Sequence, residues 1–252
     1  MSVGLPPQQM EAAKRRKPKQ VAPAPGWIMP EEQSAEHSEA YNATHGPSQA
    51  AVVHTGPSGL LVGEAAGGPV TVRLFRNRPT RILTTVPEYM LWLFAFRCVS
   101  LGAHLSILAD EHRRWQALAG TVERCGGTVD LLGKGGVVPS QGRPYRPSLV
   151  VDDASFYDGL QAPLGPWQAM LAQVDAAASG AVHWLRSADM ALLSPANSRT
   201  VENLRRAYAL NQRQTKMCAN LDGNEAVLVM PRRVVRVQIP PTQSEYRLLF
   251  GG

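Results

Sequence analysis

The chain has 252 residues, 44% of them hydrophobic, which is enough for one sizeable core with a tail and excludes a wholly disordered protein. Its net charge is +6, drawn largely from one run, Lys14, Arg15, Arg16, Lys17 and Lys19. The remainder is close to balanced, which argues against a dedicated DNA-binding domain. The three cysteines, Cys98, Cys125 and Cys218, are odd in number and form no CxxC pair, which argues against a disulfide framework and a structural zinc site.

Residues 1–48 are rich in Pro, Ala, Gln, Glu and Ser and carry little periodicity, so they are expected to form a disordered tail. The basic run reads as part of that solvated tail. "MSVGLPPQQMEAAKRRKPK" has no apolar core of a signal sequence, which predicts a cytosolic protein. Within the tail, Trp27, Ile28 and Met29 stand between prolines and are candidates for docking a partner. The alternative for them is an isolated apolar patch.

Residues 49–252 are expected to fold as a single α/β domain. "AAVVHTG" and "GLLVGEAAGGPVTVRLF" read as short strands in a hairpin-like arrangement. Gly67 and Gly68 supply a turn, and Val70, Val72 and Leu74 share one face. "TRILTTV" starts the core. The segment from Val86 to Ala103 is then apolar nearly all round, with Glu88 at its start and Arg97 near its middle. It is shorter than the roughly 20 residues of a spanning helix, so it reads as a helix buried against a sheet, with Arg97 reaching the domain edge. Pro87 suits its first turn, Thr85 its cap, Gly102 its end, and Cys98 is a small buried hydrophobe.

Strand and helix now alternate. "HLSILAD" is a strand, and "EHRRWQALAGTVERCGG" a helix with Trp115, Leu118 and Val122 inward. "TVDLLG" is a strand, followed by a Gly- and Pro-rich loop from Lys134 to Pro147 and by "SLVVDDAS". "WQAMLAQVD" and "DMALLSP" are further strands, and "TVENLRRAYAL" is a helix with Val201, Leu204, Tyr208 and Ala207 inward. "EAVLVMPRRVVRVQIPP" returns to strands before a short final element, "SEYRLLF". The expected fold is therefore a doubly wound, mainly parallel sheet with an N-terminal β-hairpin and a C-terminal β element, preceded by a tail.

Buried strands that end in carboxylates, as "LVVDD" does, hold magnesium in many nucleotide hydrolases. Such an enzyme also needs GxxxxGK[ST] after its first core strand, where backbone N–H groups and a lysine surround the phosphates. Here that position reads "TTVPEYML", with no glycine or lysine, a proline without an N–H, and an acid at Glu88. GxGxxG is missing as well. "GKGG", with Lys134, follows a later strand and opens a loop. Asp152 and Asp153 are thus expected to cap the following turn and meet water. Asp110 could bind a ribose hydroxyl, but reads better as a helix cap. No Ser–His–acid set is marked; neither His104 nor His183 has a partner in sequence. No catalytic residue, resident cofactor or metal is assigned. Asp110, Lys134, Asp152 and Asp153 remain ligand candidates.

The order of a glycine-broken hairpin, "TRILTTV", a long apolar helix, "LSILAD" and "LVVDD" resembles the front of the FtsK/HerA-like ATPase core, which includes the motor ATPases of type VII secretion. The resemblance places the phosphate loop at Thr84 to Met90, where this chain has none, and so implies a degenerate relative. "GGPVTVRLFRNRPTRI", "LGAHLSILADEHRRWQAL" and "AVLVMPRRVVRVQIPPTQSEYRLLFGG" are similar to EccE-like proteins of actinobacterial type VII secretion loci, although EccE proteins usually carry N-terminal membrane helices. This resemblance implies a non-enzymatic cytoplasmic interaction protein, with protein partners in a secretion machine and no specific nucleic acid. It would meet the inner face of the membrane only through partners or the basic tail. Two alternatives stay open: a nucleotide-dependent enzyme with an atypical phosphate site using Asp152, Asp153 and Lys134, and a Rossmann-like small-molecule transferase with its site near Asp110 and Asp152.

Overall fold

The computed structural model describes residues 40–44, 50–54, 59–133, 135–139, 142–153 and 163–251. The chain divides into two units, residues 1–56 and 57–252. In the first, β1 (Ala40–Thr44) and β2 (Ala50–His54) form an antiparallel ribbon in which Ala40 faces His54 and Thr44 faces Ala50. β2 is the strand expected from "AAVVH"; β1 falls in the segment assigned above to the tail. The basic run at 14–19, the Trp27, Ile28 and Met29 motif, and Lys134 lie outside the described residues.

The second unit opens with a hairpin, β3 (Leu60–Ala65) and β4 (Gly68–Val72), turned at Gly68 with φ +109°. β5 (Thr80–Thr84) follows, then α1 (Glu88–Ser100), β6 (His104–Ala109), a 3-10 turn at His112–Trp115, and α2 (Gln116–Arg124). Next come β7 (Val129–Leu132), β8 (Ser148–Asp153), β9 (Gln168–Gln173), α3 (Ala181–Ser187), β10 (Met190–Leu193) and α4 (Ser198–Tyr208). α5 (Gln212–Met217), β11 (Glu225–Met230), β12 (Arg233–Gln238) and α6 (Gln243–Leu249) complete it.

All strands of this unit join one ten-stranded sheet in the order β4-β3-β12-β11-β10-β5-β9-β8-β6-β7. From β10 to β7 neighbours run parallel; from β10 outward to β4 they run antiparallel. The doubly wound α/β expectation therefore holds, with the terminal strands joined to the same sheet. Alternation along the strands explains why both faces are covered. Ile82, Leu149, Val151, Leu171 and Leu192 pack toward α1 and α2, while Leu83, Val150, Met170, Ala172 and Leu193 pack toward α3 and α4.

α1 is apolar nearly all round because neighbours surround it. Met90, Leu93, Phe94 and Cys98 are buried, and Trp92 stacks on Phe250 just after α6 at 6.1 Å between ring centroids. Among the described residues, no helix is long and apolar enough to cross a membrane. Arg97 does not reach out to water as its position suggested. Its side chain is 11% exposed and forks onto Glu245 of α6, with Nε 2.6 Å from Oε1 and Nη2 2.8 Å from Oε2. Nη1 also donates to the Val62 carbonyl and Nη2 to that of Pro240, each at 2.9 Å. One guanidinium thus ties α1, β3 and the C-terminal helix together. Burial opposes the charge on Glu245, but the Arg97 hydrogen bonds and the capping bonds to Thr242 outweigh it and hold the carboxyl below its ordinary value.

Pro87 is the residue that caps α1, rather than part of its first turn, and no side chain caps there. Gly102 ends the helix as expected, at φ +83°, its N–H donating to the Val99 carbonyl. Trp115, Leu118 and Val122 are fully buried, with Trp115 in the 3-10 turn rather than in the helix proper. Val201 and Leu204 of α4 are buried, and Ala207 and Tyr208 pack at the margin of the same core.

Candidate functional site

Ligands of doubly wound sheets bind at the C-terminal ends of the parallel strands. In this protein that edge carries Thr84 of β5, Ala109 of β6, Asp152 and Asp153 of β8, and Gln173 of β9. Thr85, Val86 and Pro87 alone connect β5 to α1. Their backbone N–H donors are all engaged or missing. The Thr85 N–H donates to the Leu192 carbonyl at 3.3 Å, the Val86 N–H donates to Thr84 Oγ1 at 3.2 Å, and Pro87 has none. A phosphate would need such N–H groups free and converging.

Asp153 has the parity of Val151 and so points to the α1 and α2 side of the sheet, where its side chain is only 6% exposed. The Trp115 indole Nε1–H donates to Asp153 Oδ2 at 2.7 Å. Arg114 Nη1 lies 3.3 Å from the same oxygen, and Arg114 Nε lies 3.6 Å from Glu88 Oε2, the first residue of α1. The guanidinium also stands 5.6 Å from the Trp115 ring centroid. Arg114 therefore bridges the strand-end carboxylate and the helix N-terminus. The Glu88 contact is an ion pair beyond hydrogen-bond length. Burial pushes the Asp153 carboxyl above its ordinary value, against the Trp115 hydrogen bond and the charge of Arg114, which pull it down. Asp153 is thus not the solvated turn cap that its sequence context suggested.

Asp152 is half-buried and pairs in register with Ala172 of β9. Asp110 is exposed just beyond β6, and Glu111, not Asp110, precedes the 3-10 turn as its cap. Along the same edge the Thr85 and Ser194 hydroxyls and Gln173 Oε1 are buried with no hydrogen-bond partner among the described residues. Among the described residues, no group of three His, Cys, Asp or Glu side chains is placed to hold a metal ion.

Sequence reasoning missed Arg114 and Trp115 as members of this cluster. A signal existed for Trp115, because an indole N–H buried with its ring must find an acceptor. His104 also gains partners that the sequence did not mark. Its Nε2 is 2.7 Å from Asp130 Oδ2, and its Nδ1 is 3.1 Å from Thr128 Oγ1. These are neighbours across the β6–β7 pairing at the opposite, N-terminal edge of the sheet, and the Asp130 side chain is 48% exposed. The row is a cross-strand polar pairing.

No protein-family model matches the chain. No curated protein matches it. Among solved structures it is similar to VirB4 of Thermoanaerobacter pseudethanolicus, at 10% identity and a TM-score of 0.49, over 76% of this chain and 98% of that one. It is also similar to the cytoplasmic domain of EssC, at 12% identity and a TM-score of 0.42, over 75% of this chain and 44% of that one. The chain therefore spans less than half of the EssC domain that it matches.

Proposed function

We propose that this protein is a non-hydrolysing, partner-docking component of a type VII secretion machine, built on an FtsK/HerA-like core that has lost its phosphate grip. The observation that carries the first half is the turn from β5 to α1. Its N–H groups are engaged or absent, and the acid that follows it, Glu88, is held by Arg114 together with Asp153. In-line phosphoryl transfer depends on positioning and on cations around the phosphates. This edge supplies three carboxylates, Asp152, Asp153 and Glu88, and one cation, Arg114, already shared between the last two. The second half is supported by the sequence resemblance of "GGPVTVRLFRNRPTRI" and the C-terminal stretch to EccE-like proteins.

The test is turnover of ATP and GTP with Mg²⁺ by purified protein and by an Asp152→Ala, Asp153→Asn variant, the second change chosen to keep an acceptor for Trp115. Hydrolysis by the wild type that the variant loses would sink the proposal. A thermal-shift screen with ATP, GTP, NAD and S-adenosylmethionine addresses the enzyme and transferase alternatives. A ligand at 100 times its Kd adds about 2.7 kcal/mol, a rise of several degrees for a domain of this size. The expected result is no rise with any of them. For the secretion role, a tagged copy should co-purify with the motor ATPase of a type VII locus, and absence of that ATPase counts against the assignment.

A further inference from the structure

On the face away from α1, an open concavity of about 650 Å³ lies among α3, the junction of α4 with α5, and the β11–β12 turn. Arg186 and Arg232 line it, together with Asn211 and Gln214. Both arginines are exposed, and neither has a carboxylate within ion-pair distance among the described residues. Arg206, Arg213 and Arg233 each adjoin a lining residue in the chain and are likewise exposed and without an ion pair.

The acids nearest in sequence to Arg186 and Arg206 are already engaged. Asp189 holds Arg76 at 2.6 Å and accepts from the Arg81 N–H at 2.9 Å, and Glu202 is forked by Arg205 at 2.7 and 2.8 Å. The concavity therefore carries an excess of positive charge, although the Asp189 carboxylate, engaged by Arg76, is close enough to act on Tyr208 of its lining.

Its framework is fixed rather than loose. Asn211 and Gln214 cap α5 reciprocally, at 2.9 and 3.1 Å, and Gln214 Nε2 donates to the Arg232 carbonyl at 3.4 Å. Arg186 Nη2 donates to the Arg206 carbonyl at 3.1 Å, which orients one fork while leaving its other donors to face a ligand.

We propose that this concavity docks an acidic segment of a protein partner, with Arg186 and Arg232 as the carboxylate anchors. Guanidinium forks match carboxylates bidentately, and the surrounding cations steer an acidic chain toward them. Single-stranded nucleic acid fits less well, because it needs aromatic faces on which bases stack. The aromatic in the lining is Tyr208, which is only partly exposed and whose hydroxyl is sealed from solvent. The inference rests on the reading of the chain as a partner-docking protein and adds the chemistry of the partner.

The experiment measures anisotropy of a dye-labelled Glu/Ala peptide of about a dozen residues on the full chain at about 0.15 M salt. A dye-labelled single-stranded oligonucleotide of equal charge is run beside it. The wild type is expected to bind the peptide, and Arg186→Ala with Arg232→Ala to weaken binding at least about tenfold. A charge-matched control, Arg73→Ala with Arg247→Ala, is expected to change it less than about twofold. Arg186→Lys with Arg232→Lys, which keeps charge but not the fork, should fall between and covers the case in which the alanine pair fails to fold. Absence of peptide binding, equal loss in the control, or tighter binding of the oligonucleotide that the double variant abolishes would overturn the proposal. ATP turnover by the wild type would instead remove the non-hydrolysing reading and leave the peptide result standing.

Discussion

Replacing Asp153 separates its charge from its hydrogen bond. Asp153→Ala leaves the indole N–H of Trp115, a fully buried residue, without its acceptor at 2.7 Å. A buried donor left unsatisfied costs about 1–3 kcal/mol. Arg114 adds little to that cost, because its side chain is 36% exposed and can turn to water. For a domain of this size the expected fall in Tm is about 2–12 °C.

Asp153→Asn keeps an acceptor oxygen and removes a charge that burial disfavours. Its stability at neutral pH should lie within about 0.5 kcal/mol of the wild type or above it. The sign with pH follows from the raised carboxyl. In the window between the ordinary Asp value and the raised folded value, the folded state holds more protons than the unfolded one, so wild-type stability falls as pH rises through it. The asparagine variant lacks that fall, and its advantage grows across the window and then stays constant. Denaturant melts of the three proteins across pH, followed by tryptophan fluorescence, read all of this. Equal losses in Asp153→Ala and Asp153→Asn would show that the ion pair with Arg114, not the indole bond, holds the cluster, and the reasoning would be refuted.

Arg97→Met strands Glu245, whose side chain is 12% exposed, and should cost about 3–5 kcal/mol. Because the Glu245 carboxyl is held low, that contribution is present above the ordinary Glu value and lost as pH falls through the folded value, so wild type and variant should converge in acid. Under native conditions iodoacetamide should label Cys125 alone, since it is the exposed thiol while Cys98 and Cys218 are buried and burial pushes Cys218 up to about 11; peptide mass spectrometry reads this, and labelling of Cys98 before unfolding would contradict the packing of α1. Gly63→Ala would drive a methyl group into the Gln238 carbonyl and to 2.8 Å from Val237 Cγ1, at about 1–3 kcal/mol. Hydrogen exchange should then quicken in β3, β4 and β12 while β8 and β9 keep their protection.

The parallel half of the fold was legible because its signals are local. "TRILT", "HLSILA" and "SLVVDD" are short apolar runs bounded by turn residues, and Trp115, Leu118 and Val122 mark one face over neighbouring turns. α3 was missed because its apolar residues span too few turns to show a period, and α5 because it buries none of its residues. The union of the terminal strands with the core sheet was not legible either. It depends on Gln238 of β12 meeting Glu64 of β3, a pairing with no local signature. The Arg97–Glu245 pair has the same character: an arginine in an apolar helix announces only that a partner or an exit exists. At the candidate site, the missing glycines and lysine were plain in "TTVPEYML", whereas the bridge through Arg114 joins side chains on α1, β8 and the 3-10 turn that only the folded topology assembles.

That bridge bears on what this strand edge can hold. An acid at the start of a helix is favoured by the helix dipole, so Glu88 is locally stable in the first turn of α1. It stands on the same edge as Asp153, and like charges there require a cation between them. A hydrolase obtains that cation with its substrate, as a metal–nucleotide complex. Here Arg114 supplies it from within the chain, and Trp115 completes the shell around Asp153. Placing a lysine at position 88 would not make this turn a phosphate cradle, because the Thr85 and Val86 N–H groups are still engaged and Pro87 still has none. What separates this edge from a phosphate site is the length and hydrogen bonding of the backbone turn, and a lysine at position 88 changes neither.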